Sequence, residues 1–246
     1  MSLSDYLIIP EWPAPANVRA LQTTRQGGVS VAPYASLNLG SHVGDAPLSV
    51  ARNRQLLNSL LPSEPVWLEQ VHGTVVADAD GAGCRTVADA CIARRGVCVV
   101  MTADCLPVLL CDRQGSVVGA AHAGWKGLAA GVIEATVQAM DVAPQNLMAW
   151  LGPAISQPFF EVGAEVRSVF VEADPEAAVA FIPGLPGKYL DDIYALARLR
   201  LNALGITEIY GGDRCTYSEP EQFFSYRRDG VTGRQGTFIW LEKSSR

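Results

Sequence analysis

Three side chains suited to metal chemistry stand in three separate segments of this 246-residue sequence. His72 lies in Glu69-Gln70-Val71-His72-Gly73, Cys105 in Thr102-Ala103-Asp104-Cys105-Leu106-Pro107, and His122 in His122-Ala123-Gly124-Trp125-Lys126-Gly127. Two imidazoles and one thiolate are good ligands for Zn2+, a borderline-soft ion that prefers tetrahedral nitrogen and sulfur coordination. Three protein donors leave the fourth position open. That opening separates a catalytic zinc site, where water can be activated near neutral pH, from a closed structural one. The spacing itself matches no short metal motif. A lone histidine or cysteine is more often an ordinary packed residue, so spacing leaves both readings open.

The elements around these residues are short. Apolar runs at Val66 to Val71, Val97 to Met101 and Val117 to Ala121 read as strands, and each candidate lies just beyond or near one, where loops gather into sites. Arg25-Gln26-Gly27-Gly28 reads as a turn between extended segments, because paired glycines supply positive φ at little steric cost. A first helix is expected after Asp45, with Asp45 as its N-cap and Pro47 in its first turn, running through Leu56, Leu57 and Leu60. Leu128 to Met140 has few breakers and reads as a second helix. Leu190, Ile193, Ala197, Leu201 and Leu204 recur at three- and four-residue intervals on one face of a third, and Gly205 is placed to end it in a left-handed cap. Strand character returns at Ile206 to Tyr210 and Thr237 to Leu241, with a polar and aromatic loop, Phe223 to Arg228, between them. Mixed short strands with interspersed helices favour an α/β or α+β domain. With no linker, repeat or low-complexity tract, the expectation is a single domain spanning 1–246.

Composition narrows the partners. An excess of 25 acidic over 19 basic side chains leaves a formal charge of −6. That argues against general attraction to phosphate backbones or anionic membranes, so neither nucleic acid nor a membrane is an expected partner. No apolar stretch approaches the roughly 20 residues of a membrane-spanning helix. Met1 to Pro10 lacks the pattern of a secretory signal, which makes a cytoplasmic location the expectation. The six cysteines, none paired as C-x-x-C, are then expected as thiols. No G-x-x-x-x-G-K-[ST] loop appears, so an ATP site is not indicated.

The segments around His72, Cys105 and His122, together with Ser36-Leu37-Asn38-Leu39-Gly40, His42-Val43-Gly44-Asp45, Asn53-Arg54 and Gly211-Gly212-Asp213-Arg214-Cys215-Thr216, resemble the bacterial family labelled polyphenol oxidase or laccase domain. The resemblance runs from Thr24 to Trp240. It implies an α+β fold of layered αββα type, with mixed sheets flanked by helices, and a zinc site on His72, Cys105 and His122. It also implies purine nucleoside phosphorylase activity on adenosine, inosine and methylthioadenosine, with adenosine deaminase activity in the same site. The older oxidase label fails a ligand count, since a multicopper cluster is held mostly by histidine and the chain has three in total. A single Cu2+ in the open site is a different matter, because copper outcompetes zinc for many such donor sets.

For phosphorolysis the site must hold phosphate. Guanidinium forks suit that task, which makes Arg25, Arg54, Arg227 and Arg228 candidates, with Arg54 and then Arg227 preferred. Asn38, Gln70 and Tyr226 are candidates to hydrogen-bond base or ribose, and Trp125 or Phe224 to stack on the purine. Asp104 and Glu69 are the carboxylates nearest the ligands in sequence, as acid, base or orienting groups. His42 is read as part of a turn rather than a ligand. The protein is expected to act as a monomer on small molecules.

Two rivals use the same residues. In one, Cys105 is the nucleophile of an amidase or deamidase with His122 or His72 as base. The family's fold likeness to cysteine-dependent toxin deamidases, and a role in editing cell-wall precursors, support that version. In the other, a non-catalytic protein holds structural zinc, which requires a fourth protein ligand.

Overall fold

The computed structural model describes residues 3–81 and 86–242. In chain order the elements that frame the site are β1 (Leu7–Ile8), β2 (Val18–Thr23), α1 (Pro47–Leu57), β3 (Leu68–Glu69), β4 (Val76–Asp78), β5 (Thr86–Val87), β6 (Ala90–Ala93), β7 (Val97–Thr102), β8 (Leu106–Asp112), β9 (Val118–Ala123), α2 (Trp125–Ala130), α3 (Val132–Met140) and β10 (Leu147–Leu151). They continue with β11 (Glu161–Gly163), α4 (Ala164–Ala173), β12 (Phe181–Pro183), β13 (Lys188–Asp191), α5 (Ile193–Ala203), β14 (Ile209–Gly211), α6 (Tyr226–Asp229) and β15 (Gln235–Leu241).

Two sheets carry the fold. One has the order β1-β2-β15-β7 and the other β14-β10-β8-β9-β6-β4, the second mixing parallel and antiparallel pairs. Strand alternation sorts their side chains into layers. Along β7, Cys98 and Val100 point between the sheets, where they meet Leu109, Cys111, Val118, Ala120 and Ile239. Val97, Val99 and Met101 point the other way, onto Leu37, Leu39 and the Leu57 end of α1. Along β8, Leu106, Val108 and Leu110 turn away from the inter-sheet core toward α2 to α5, meeting Leu128, Ile133, Phe170 and Leu201. The result is helices, sheet, sheet, helix: the αββα layering that the family resemblance implies. Nearly continuous burial of β7, β8 and β9 follows from coverage on both faces.

Several expected boundaries move. Asp45 does not cap α1; the N-cap is Ala46, and the Asp45 carboxylate instead accepts from Ser30 Oγ at 2.6 Å and Asn38 Nδ2 at 2.9 Å. Leu60 lies beyond the end of α1. The expected single helix Leu128 to Met140 begins earlier, at Trp125, and is broken at Gly131, whose φ of 98° interrupts the helical backbone between α2 and α3. Leu190 belongs to β13, and α5 starts only after Asp192, whose side chain accepts from Ala195 N. Gly205 does adopt a left-handed φ of 89° after α5. Within the 223–228 loop, Tyr226 to Arg228 form most of α6, with Ser225 as N-cap. The five described cysteines are free thiols, while Cys84 lies outside the described residues. Among the described residues no helix is long and apolar enough to cross a membrane.

Candidate metal centre

His72, Cys105 and His122 come together at one end of the two sheets. Cys105 sits in the tight connection from β7 to β8, where Asp104 takes a φ of 98°, unusual for a residue with a Cβ. His122 lies inside β9 rather than after it, opposite Pro107 of β8. His72, with φ of 61°, rides on the loop that follows β3. The His72 Nε2 and Cys105 Sγ atoms are 3.7 Å apart. The two imidazoles meet edge to face with centroids 4.8 Å apart, and one ligand atom from each residue lies within 4.8 Å of the others. His122 is buried, Cys105 half-buried and His72 exposed, so the cluster is closed behind and open in front. Gly124 makes this approach possible: a Cβ there would lie 2.7 Å from His72 Cδ2 and 2.9 Å from Cys105 Sγ.

One carboxylate organises the back of the cluster. Asp89, fully buried just ahead of β6, accepts from His122 Nδ1 at 2.9 Å. The same carboxylate accepts from the backbone N–H groups of Val71 at 3.1 Å, His72 at 2.9 Å and Gly73 at 2.6 Å. It therefore fixes the ring of one ligand and the backbone of another, leaving Nε2 of His122 to face the sulfur. Burial alone would raise the Asp89 pKa, but the hydrogen bonds from His122 and from Gly73 and Val71 offset it and hold the group below the usual carboxylate range. Burial would likewise lower His122, yet the Cys105 charge and the Asp89 hydrogen bond raise it to about 9. Cys105 is pushed up by burial and pulled down further by the His122 charge and the hydrogen bonds from both histidines, to about 6. A thiolate beside an imidazolium is the favoured state of the pair.

The donor set suits zinc. Two imidazole nitrogens and a thiolate fit borderline-soft coordination, and a carboxylate on the remote nitrogen of a ligand histidine is the usual orienting partner at such sites. Among the described residues the cluster gathers no fourth His, Cys, Asp or Glu, since the Asp89 oxygens are turned to His122 and the loop amides. That fits an open site better than a closed structural one.

A family model described as multi-copper polyphenol oxidoreductase laccase matches residues 19–242. The chain belongs to this family. Among curated relatives, a purine nucleoside phosphorylase of Escherichia coli is 56% identical over 96% of this chain and 98% of its own length. One of Pseudomonas aeruginosa is 53% identical over 96% and 98%. Among solved structures, a Neisseria meningitidis protein superposes with a TM-score of 0.94 at 52% identity, covering 97% of this chain and 100% of its own. A Geobacillus stearothermophilus protein gives 0.87 at 33%, covering 94% of each chain. The description of this laccase family speaks of several coppers, whereas this member has three histidines, one of which, His42, is outside the cluster.

Most of the remaining candidates of this laccase-family chain spend their polar groups on the protein itself. Gln70 grips the end of β7 in both directions, donating to Met101 O at 2.8 Å and accepting from Met101 N at 2.8 Å. Asn38 is fully buried; it donates to Asp45 and accepts from the N–H groups of Gly40 and Arg234. Arg54 donates twice to Leu39 O, at 3.0 and 2.8 Å, and lies 3.9 Å over the Trp67 ring. Burial depresses its pKa to about 10. The Arg227 side chain donates to Glu161 O at 3.0 Å, while its backbone N–H donates to Asp104 Oδ2 at 2.7 Å. Arg25 and Arg228 also hold backbone carbonyls. Phe224 is sealed in the core and cannot stack on a ligand, because the Gln235 side chain pins its backbone and the chain folds over it. Trp125 is half-buried and Tyr226 exposed. Asp104 spends one oxygen on Thr216 Oγ1 at 2.7 Å and the other on Arg227 N, which fits an anchor for the Cys105 turn rather than a proton carrier. Glu69 is exposed. Burial, then the charges of Arg234 and Arg54, lower the His42 pKa.

Sequence reasoning did not single out Asp89, yet a signal existed: an aspartate inside the apolar stretch Val87-Ala88-Asp89-Ala90-Cys91 must find partners if it is buried.

Proposed function

We propose that this protein is a purine nucleoside phosphorylase whose site holds one zinc ion on His72, Cys105 and His122, with adenosine deaminase activity in the same pocket. The observation that carries the reading is the His-Cys-His cluster, backed by Asp89 and open on the His72 side, in a chain whose relatives bear the phosphorylase name. Bound there, zinc would supply a Lewis acid beside the reacting atoms. Phosphorolysis breaks the bond from ribose C1′ to the purine nitrogen and forms one from C1′ to a phosphate oxygen. The chain's own task is to hold both reactants in line and keep the donors rigid. Asp89 does the second by fixing the His122 tautomer and the Val71–Gly73 amides, and Gln70 locks that loop to β7. Asn38, Arg54 and Arg227 serve the pocket by fixing its walls, and Tyr226, exposed on α6, is free to meet base or ribose.

Incubation of the purified protein with inosine or adenosine, with and without phosphate, tests this. Free base and ribose-1-phosphate should form only with phosphate, inosine should appear from adenosine by deamination, and metal analysis should find about one zinc per chain. Product unchanged by phosphate would exclude phosphorolysis.

A second reading is favoured by a specific observation: Cys105, His122 and Asp89 stand in line, with the Asp89 carboxylate on His122 Nδ1 and the Cys105 sulfur in the same cluster as the imidazole. That is the arrangement of a cysteine nucleophile with an oriented base. If a zinc-free preparation hydrolyses amides and iodoacetamide abolishes it, the amidase reading replaces the nucleoside one for that substrate.

A further inference from the structure

Arg234, like Arg227, leaves part of its guanidinium without a protein acceptor, but it is half-buried where Arg227 is exposed. Arg234 Nη1 donates to the carbonyls of Thr232 and Gly233, at 3.2 and 3.0 Å, but among the described residues its Nε and Nη2 donate to no acceptor and no carboxylate pairs with it. The side chain is half-buried. Arg234 immediately precedes Gln235, which pairs with Thr102 at the end of β7, three residues before Cys105. Cys105, Asp104 and Tyr226 act on Arg234 electrostatically, and its own charge acts on His42.

Its backbone is held on both sides: its N–H donates to Asn38 Oδ1 at 2.9 Å, and its carbonyl accepts from Leu39 N at 3.0 Å. Leu39 is in turn clamped by Arg54. Gly40 leaves room for the side chain, since a Cβ there would lie 2.8 Å from Arg234 Cγ. The Asp104 oxygens accept from Thr216 Oγ1 and Arg227 N rather than from Arg234, on which the Asp104 charge acts without a hydrogen bond. Two enclosed hydroxyls at this same sheet end, Thr102 Oγ1 and Thr232 Oγ1, have no partner among the described residues. The Arg234 nitrogens are not among the enclosed unpartnered atoms, so the free Nε and Nη2 stay open to an anion from solvent, while the two unpartnered hydroxyls mark hydrogen bonding that the polypeptide alone leaves incomplete.

We propose that Arg234 is the anion-binding residue of the His72–Cys105–His122 site and that its ligand is inorganic phosphate. That the anion is phosphate rests on the phosphorolysis reading; that Arg234 receives it rests on the geometry above. The free Nε and Nη2 form the fork that grips two oxygens of a tetrahedral oxyanion.

Calorimetric titration of inorganic phosphate into the purified protein tests this directly, without relying on turnover. Arg234→Gln should weaken phosphate binding by roughly ten-fold or more, as loss of a charge-assisted contact requires. Arg234→Lys should fall between, and Gly40→Ala should weaken binding by displacing the arginine stem. In turnover assays the KM for phosphate should rise more than the KM for nucleoside. Phosphate binding unchanged in a folded Arg234→Gln protein, or absent from the wild type, overturns the proposal. Should Arg234→Gln not fold, unchanged binding in Arg234→Lys and Gly40→Ala together overturns it. If phosphate binds through Arg234 but no free base forms from nucleosides, the proposed function fails while this site stands.

Discussion

Asp89 and Asp191 are both fully buried aspartates, and they have opposite fates. Asp89, between the two histidine-bearing segments, collects four donors and stays below the usual carboxylate range. Asp191, at the junction of β13 and α5, has no hydrogen-bond partner among the described residues on either oxygen, and burial, reinforced by Asp192, raises its pKa to about 8. Equal burial thus yields an ionised organising group in one place and a neutral acid in the other. The difference lies in the donors that surrounding backbone presents, which is why an unusual pKa alone does not mark a functional site.

Asp89→Asn should break that contrast most visibly. Because it removes the partner of a ligand histidine and of three loop amides, metal affinity and turnover should each fall by roughly 10- to 100-fold. Stability should drop by about 3 kcal/mol, the scale for stripping a buried charge from its partner. Zinc titration, steady-state kinetics and denaturant melts read these effects, and unchanged zinc affinity would remove Asp89 from the site.

Gly124→Ala is the next largest. It leaves every ligand in place but drives a methyl group against His72 and Cys105. Turnover should fall by roughly ten-fold or more, since displacements near 1 Å cost up to about 100-fold. A variant with wild-type kinetics would show that the close approach of the two ligands has no part in function.

Asp191→Asn should leave kinetics alone and change only stability, with a pH signature. The folded protein keeps a proton on Asp191 that the unfolded chain releases above its ordinary value of 3.8, so this contribution is complete below that value and is lost as pH rises toward about 8. Asp89 has the opposite sign: its contribution is present above the ordinary carboxylate value and is lost as pH falls through its lowered one. Melting curves should therefore show Asp191→Asn gaining on the wild type as pH rises from 5 to 8, by roughly 5 °C at the upper end. A constant difference across that range would mean that Asp191 is ionised in the fold.

The elements nearest the ligands were legible in part. The apolar runs at 97–101 and 117–121 correspond to β7 and β9, because strands covered on both faces must be apolar at nearly every position. The apolar face of α5 and its Gly205 cap were likewise legible, since both depend on local backbone geometry. Asp45 was misassigned as a cap because its actual partners, Ser30 and Asn38, are 15 and 7 residues away. The arginines show the same limit. Arg54 in Asn53-Arg54 looks in sequence like a phosphate ligand, and only the fold reveals that its Nε and Nη2 donate to Leu39 O and that its plane lies over Trp67, both distant along the chain.

By itself the sequence determined the chemical character of the site: two imidazoles and a thiol in family-specific surroundings, too few histidines for a copper cluster, and the apolar periodicities that must become strands and helices. Only the tertiary structure decided that these three side chains meet with one open side, that Asp89 stands behind them, and that Arg234 leaves Nε and Nη2 without an acceptor among the described residues. Those outcomes depend on contacts between residues far apart in the chain, where donor counts and desolvation are set by what folding brings alongside.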